Sequence, residues 1–360
     1  MRIAYLVKVL PSRDLNLIQK CCDQINTWKK LDHDTHIKIF YLNQGASKTT
    51  CLDNLETSQY AIGNKWWFEI FHLNKTYRKL LNDLAEFRPD LVYTRTWSSR
   101  KFTQQLTQTY KVISEVNTVE LKEYLAQKAT NKIKFLKYVY VLLTQHLFYK
   151  NLSGLVCVTN EIAQEYSKYE LPTYVIPNSI PINNYNIQTP QKNKIPKIFF
   201  IGSPGMPWQG FDKVLKLAKL TLGKLEFHLV GNTNTYDKSW PPNIISYGIQ
   251  DYENYKPILN NCDVGLGTMA LQRKGLKEAC PLKIREYLAY GLPIILPYDD
   301  TAFLEDNPIW ALKLPGEEGA SLEPDQIERI VTFSYKMMGY RVAHEESSKY
   351  VDSTYWKKKE

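Results

Sequence analysis

The sequence predicts an α/β fold of two doubly wound parallel-sheet domains, and three observations predict it. Short β-branched and aromatic runs alternate with longer amphipathic stretches along the whole chain, the pattern of parallel strands covered by helices. The 360 residues suit about two domains at ~100–200 residues each. A segment rich in Asn and Pro, NSIPINNYNIQTPQKNKIP at 178–196, has neither helical nor strand periodicity and divides the runs into two sets, as a linker does. Its position predicts a first domain over 1–177 and a second over 197–339, with a helical stretch at about 340–360 that follows the last strand and packs back on the first domain.

Taken in order, the strand runs of the first domain fall at 3–10, 36–42, 91–96, 112–117, 154–160 and 173–177, and those of the second at 197–202, 226–231, 243–248, 264–269, 293–297 and 311–314. Each is a short run rich in β-branched and aromatic residues. In such domains ligands lie at the carboxyl ends of the strands, which places the expected site in a deep cleft between the two.

Composition removes several classes of function. A chain that is 44 % apolar and 13 % aromatic is neither disordered nor of low complexity. No apolar stretch reaches the ~20 residues of a membrane-spanning helix; the longest, 138–149, is broken by Thr144, Gln145 and His146. The start, MRIAYLVKVLP, has Lys8 within its apolar run and no small-residue cleavage site, so it reads as a first strand rather than a signal peptide. The six cysteines, Cys21, Cys22, Cys51, Cys157, Cys262 and Cys280, form no CxxC pair and suit reduced thiols in a cytoplasmic protein. His33 and His36 lie close together but lack further ligands at metal-binding spacing, and no metal or cofactor is expected.

The chemistry concentrates in residues 265–297, GLGTMALQRKGLKEACPLKIREYLAYGLPIILP. Two carboxylates, Glu278 and Glu286, stand eight apart. Pro281 suits the first turn of a helix from about 282 to 290, which Gly291, Leu292 and Pro293 terminate. Glu278 then lies in the loop before the helix and Glu286 one turn along it. A helix N-terminus presents free N–H groups and a positive dipole end to phosphate, and a carboxylate nearby can accept from vicinal hydroxyls as it does in dinucleotide folds. Together these describe a site for a sugar nucleotide.

At these residues the sequence resembles the retaining GT-B glycosyltransferases of glycosyltransferase family four, whose Glu-x7-Glu motif is matched by Glu278 and Glu286. VIPNS at 175–179, FIGSPGMPWQGFD at 200–212 and PLKIREYLAYGLPII at 281–295 resemble further family segments. PDLVYTR at 89–95 and SEVNTVEL at 114–121 do so more loosely. The resemblance implies that Glu286 holds the ribose and Glu278 a hydroxyl of the transferred hexose. Ala279, Cys280, Pro281 and Leu282 would surround sugar and phosphate. Family members carry an Arg and a Lys facing the diphosphate where this chain has Ser203 and Gln209, so Lys283 is the expected replacement, with Arg273 and Lys274 as others; the alternative is a lysine on a solvated helix face. Asn117 stands where many members place a His near the sugar. The family's glycine-rich loop after strand one is replaced by VLPSRDLNL. Gly248, Ile249 and Gln250 would read the base, and Gly205 and Trp208 would approach the diphosphate. Turn and core roles are the alternatives for these five.

The net charge of +9 is uneven, with the first half carrying nearly all of it. Residues 122–150 interleave six Lys with apolar and aromatic side chains and one acid, Glu123, which suits an interfacial helix on an anionic membrane surface; 64–81 is a second such stretch. An ordinary amphipathic helix is the alternative for both. Nucleic acid is not an expected partner, since no recognised binding motif accompanies the charge.

The resemblance therefore implies a hexosyltransferase, retaining and metal-independent, moving sugar from a nucleotide diphosphate donor to a glycan or lipid-linked acceptor in polysaccharide or cell-envelope biosynthesis. UDP-glucose is favoured as donor over GDP-mannose, and the expected location is cytoplasmic or peripheral to the membrane. The alternatives are a nucleotide-sugar epimerase of the same fold and a non-catalytic sugar-nucleotide-binding or scaffold protein.

Overall fold

The computed structural model of the chain describes residues 1–9, 15–31, 34–43, 52–61, 75–95, 100–127, 132–203, 205–231, 240–314 and 321–356. It divides into two compact units. One comprises residues 1–121, 136–176 and 356–360, and the other 122–135 and 177–355.

Among the described residues the first unit holds a seven-stranded parallel sheet: β1 (Arg2–Val9), β2 (His36–Asn43), β3 (Thr57–Ala61), β4 (Leu91–Arg95), β5 (Val112–Val116), β6 (Gly154–Cys157) and β7 (Thr173–Val175). They lie in the order β3-β2-β1-β4-β5-β6-β7. β1 and β2 pair in register from Arg2 with His36 to Val9 with Asn43. Helix α1 (Leu15–Leu31) covers one face, where Ile18, Cys21, Cys22 and Ile25 pack on Ile3, Tyr5, Val7, Tyr93 and Val156, with Trp28, Ile113 and Trp356 against them. Helices α2 (Lys75–Phe87), α3 (Arg100–Thr109), α4 (Glu120–Gln127), α5 (Lys132–Tyr149) and α6 (Asn160–Tyr166) follow in the chain, with the Thr159 hydroxyl capping α6 by accepting from Ile162 N at 3.1 Å.

The second unit repeats the plan with β8 (Lys197–Ile201), β9 (Glu226–Val230), β10 (Ile244–Ser246), β11 (Val264–Leu266), β12 (Glu278–Ala279), β13 (Ile294–Leu296), β14 (Asp299–Asp300) and β15 (Ala311–Lys313). Its main sheet runs β10-β9-β8-β11-β13-β15, and β12 pairs with β14 apart from it. Helices α7 (Phe211–Leu220), α8 (Tyr252–Asn260), α9 (Leu282–Ala289), α10 (Pro324–Met337), α11 (His344–Val351) and α12 (Ser353–Trp356) complete it. Close packing here depends on two glycines. A side chain at Gly265 of β11 would stand 2.3 Å from the Tyr287 ring of α9, and one at Gly231, where φ is +89°, 2.4 Å from the Gly202 carbonyl.

Both sheets are fully parallel and doubly wound, and every strand run read from the sequence corresponds to a strand. The edge strand β3 and the pair β12 and β14 are additions. The stretch over 340–360 divides. Helix α11 packs on α9 in the second unit, and the linker residue Ile180 bonds the turn that follows α11 through Val351 O and Ser353 N, each at 2.9 Å. Trp356 packs in the first unit's core.

Candidate functional site

The second sheet changes winding direction between β8 and β11, and in doubly wound sheets the crevice beyond the carboxyl ends of such a strand pair is where ligands bind. β8 ends at Ile201 and leads through Gly202 and the exposed Ser203 and Gly205 to a 3-10 turn, Pro207–Gln209. The loop leaving β11 is laced to that turn: Met269 N donates to Gln209 O at 3.1 Å and Ala270 N to Trp208 O at 3.2 Å. Gly205 has positive φ and open space around it. Trp208 is buried, with the Lys274 ammonium 4.8 Å from its ring centre.

Helix α9 points its N-terminus at this corner. Pro281 is its N-cap rather than an interior first-turn residue and supplies no side-chain cap. The preceding residues are held from two sides. Glu278 and Ala279 form β12, in register with Asp299 and Asp300 of β14. Cys280 is locked by Asn178: Asn178 N donates to Cys280 Sγ at 3.1 Å and Asn178 Nδ2 to Cys280 O at 2.6 Å. Arg285 underlies this arrangement, donating through Nε to Asn178 O at 2.9 Å and through Nη2 to Cys280 Sγ at 2.8 Å, and pairing with Asp300. Both side chains of that ion pair are 0 % exposed. Burial lowers the Arg285 guanidinium, but the Asp300 carboxylate and Cys280 outweigh it and hold the value above the ordinary one. Burial also pushes the Cys280 thiol up to about 11, which keeps it neutral.

Glu286, one turn along α9, accepts from the Tyr255 hydroxyl of α8 at 2.7 Å. Burial raises its carboxyl to about 7, against the opposing effect of that bond. Lys283 reaches back under the end of β8. Its Nζ donates to Ile201 O at 3.2 Å and Gln209 Oε1 at 3.1 Å and lies 4.5 Å from the Phe200 ring centre. Burial pulls its ammonium down to about 7. The other two basic candidates are committed elsewhere. Arg273 is bidentate to Asp212 at 2.7 and 2.6 Å, and Lys274 is paired with Glu123. Lys283 is thus the basic group of the three whose hydrogen bonds go to neutral oxygens.

Leu282, the first residue of α9, is partly buried. Gly248, with φ of +68°, accepts from Gly231 N at 2.7 Å. Ile249 beside it is 66 % exposed, and Gln250 Nε2 turns back to Tyr247 O. Asn117 belongs to the first unit, where its amide donates through Nδ2 to Glu115 Oε1 at 2.5 Å and accepts from Lys20 Nζ at 3.1 Å. Residues 10–14 of VLPSRDLNL lie outside the described residues, as do 128–131 of the basic segment, 62–74 around the second basic stretch and Asn232. Among the described residues no three His, Cys, Asp or Glu side chains group as metal ligands do, and no helix is long and apolar enough to cross a membrane.

Four residues of this corner, Gln209, Tyr255, Arg285 and Asp300, had no role in the sequence reading beyond Gln209 as a replaced lysine. Arg285 carried a readable signal: it lies one helical turn from Leu288 and Ala289, on an apolar stripe where a cation requires a buried partner.

Neither a protein-family model nor a curated protein sequence matches the chain. Solved structures do match along its whole length. The chain is similar to HepE of Anabaena in complex with UDP-glucose at 12 % identity and a TM-score of 0.66, covering 99 % of this chain and 98 % of that one. It is similar to the lipopolysaccharide outer core galactosyltransferase WaaB at 13 % identity and 0.62, covering 99 % and 97 %. A putative UDP-N-acetylglucosamine 2-epimerase from Listeria monocytogenes matches at 11 % and 0.53, covering 99 % and 94 %. The fold is the GT-B fold of glycosyltransferases.

Proposed function

We propose that the chain is a retaining hexosyltransferase that uses a nucleotide diphosphate sugar, with UDP-glucose the favoured donor and GDP-mannose the competitor. The observation that carries this reading is Lys283. It is a desolvated ammonium that donates to Ile201 O and Gln209 Oε1, in the first turn of a helix whose N-cap residue makes no side-chain cap. A diphosphate bound there would gain a cation and a helix dipole while displacing no carboxylate. These are the groups that stabilise the charge developing on a departing nucleoside diphosphate, and they would do so without a metal. Glu286, supported by Tyr255, would accept from the ribose hydroxyls. Glu278, fixed by its two-residue strand, would accept from a hydroxyl of the sugar, with the backbone from Ala279 to Leu282 around it. Ser203, Gly205 and Trp208 would flank the diphosphate, and Gly248, Ile249 and Gln250 the base. The UDP-glucose complex of HepE and the galactosyltransferase title of WaaB support the donor class. Asn117, in the first unit, would offer a neutral amide to a sugar hydroxyl, with no acid or base role.

The acceptor would be a glycan or lipid-linked glycan. The exposed Leu136, Leu142, Leu143 and Leu147 of α5, with lysines of the same basic segment, support peripheral attachment to an anionic membrane. Vesicles of phosphatidylglycerol should retain the parent protein and release the L143E/L147E variant; parent protein that stays free in solution rejects the attachment.

Hydrolysis of a panel of UDP-, GDP- and ADP-sugars without acceptor tests the central reading. Turnover of one donor to free sugar is expected, and absence of turnover and of donor binding across the panel defeats it. The epimerase is the second reading, supported by the Listeria match and by two groups, Lys283 and Glu286, that titrate near 7 as acid and base catalysts do. An altered sugar as product would select it.

A further inference from the structure

Arg285 has no exposed surface and so cannot meet a ligand, yet its guanidinium ties three separate stretches of the second unit to α9. Nε donates to Asn178 O at 2.9 Å, in the linker, and Nη2 donates to Cys280 Sγ at 2.8 Å, in the loop before the helix. The same Nη2 pairs with Asp300 of β14, which also accepts from Ala302 N at 3.1 Å. The guanidinium carbon lies 5.6 Å from the Phe303 ring centre.

These ties close on Glu278 from two sides. Along the chain Cys280 follows it by two residues, and across the β12 and β14 pair Asp299 is its register partner while Asp300 is that of Ala279. Asp299 N also donates to Lys277 O at 3.1 Å. One guanidinium therefore fastens both the strand that carries Glu278 and its partner strand to α9. Asn178 holds Cys280 as well, but the Asn178 carbonyl is itself held by Arg285. The other two site residues are secured by bonds that do not involve this arginine: Glu286 by the Tyr255 hydroxyl, and Lys283 by Ile201 O and Gln209 Oε1.

We infer that Arg285 is a positioning residue that sets where Glu278 stands relative to α9, and so governs the sugar step and not capture of the nucleotide. Naming the sugar step rests on the transferase reading above; the hold on the 278–280 loop does not. Lysine is no substitute, because one ammonium cannot stand at both nitrogens of the fork. A pair kept for stability alone has a different signature: any replacement that restores stability would restore turnover.

Two variants of the full chain separate position from stability. R285K keeps a charge opposite Asp300 and gives up the Asn178 and Cys280 bonds, whereas R285M/D300L removes both charges and leaves no uncompensated ion. Both should hydrolyse the donor that the parent turns over about tenfold more slowly or worse, since a displacement of about 1 Å can cost about a hundredfold. UDP Kd by calorimetry should stay within about twofold of the parent value. With no donor present, iodoacetamide should alkylate Cys280, buried in the parent, about tenfold faster in both variants, the change expected when a local opening becomes easier. Peptide mass mapping reads each site, and Cys21, Cys22, Cys157 and Cys262, buried elsewhere, should react as slowly as before. If circular dichroism shows R285M/D300L unfolded, R285K carries the comparison. Parent-like turnover in folded R285M/D300L, a loss of UDP affinity as large as the loss of turnover, or unchanged labelling of Cys280 overturns the inference. A parent that binds and turns over no donor, with Cys280 labelling raised in the variants, defeats the transferase reading and keeps the hold of Arg285 on the loop. A parent that turns over donor, with labelling unchanged in the variants, does the reverse.

Discussion

The two units wind their sheets in the same order, yet they handle charge at the ligand ends of those sheets in opposite ways. In the second unit Arg285 and Asp300 are fully buried against each other, and Lys283 of the same helix rests on neutral oxygens. In the first unit a buried pair, Lys20 with Glu115, shares its carboxylate with Asn117 and Tyr93, and Arg95 is the register neighbour of Glu115. The contrast is between an ion pair that pins the loop before α9 and one whose carboxylate is shared among neutral donors.

Breaking each buried pair gives the largest expected effect and separates the two corners. In R285M, Asp300 keeps the Ala302 N–H at 3.1 Å and loses its cation, and the Cys280 loop loses two anchors. Stripping one partner from a buried pair costs about 3–5 kcal/mol, which thermal unfolding would register as a fall of about 10 °C. K20M leaves Glu115 with two neutral donors and Arg95 close by, so its fall should be smaller by half or more. Equal losses would contradict the comparison. The double variant R285M/D300L should recover much of the loss, because no uncompensated charge remains.

Substitution at the site itself comes next. E286A removes a carboxylate that would accept two ribose hydroxyls; at about 1.5–3 kcal/mol per bond to a charged group, donor turnover should drop by about a hundredfold or more with the thermal transition kept. An unchanged rate would remove Glu286 from the site. K283M should cost about tenfold to a hundredfold and should also change the pH profile. The Lys283 charge is lost as pH rises through about 7, whereas the Glu286 carboxylate is lost as pH falls through about 7. UDP affinity should therefore peak near neutrality. K283M should flatten the alkaline limb and E286Q the acid limb, and a profile insensitive to both variants would reject the assignment.

How much of this was legible depends on whether a feature is made locally. KIFFI, EFHLV and GLVC are legible as strands, since two-sided burial demands apolar runs. TSQYA, β3, is not, because only Tyr60 of it is buried and an edge strand with one buried side chain resembles a polar loop. β12 and β14 are two residues each and exist only because residues about twenty apart align. The Glu278 and Glu286 spacing around Pro281 was likewise legible, being a property of one loop and one helix. That Lys283 meets Gln209, that Arg285 meets Asn178, and that Lys20 meets Glu115 are contacts between residues distant in sequence, and no local pattern encodes them.

The smallest expected effect tests whether commitment to a carboxylate disqualifies a cation from the site. Arg273 lies near Lys283 in the sequence and has the better chemistry for a diphosphate, but its fork is spent on Asp212, and Asp212 is held below its ordinary value by that arginine. The pair is largely exposed, so R273A should lower stability by no more than about 1 kcal/mol and leave UDP affinity within about twofold. If R273A instead weakened UDP as strongly as K283M does, Arg273 would have to leave Asp212 when donor binds, and the contrast between committed and uncommitted cations would no longer predict which one meets the phosphate.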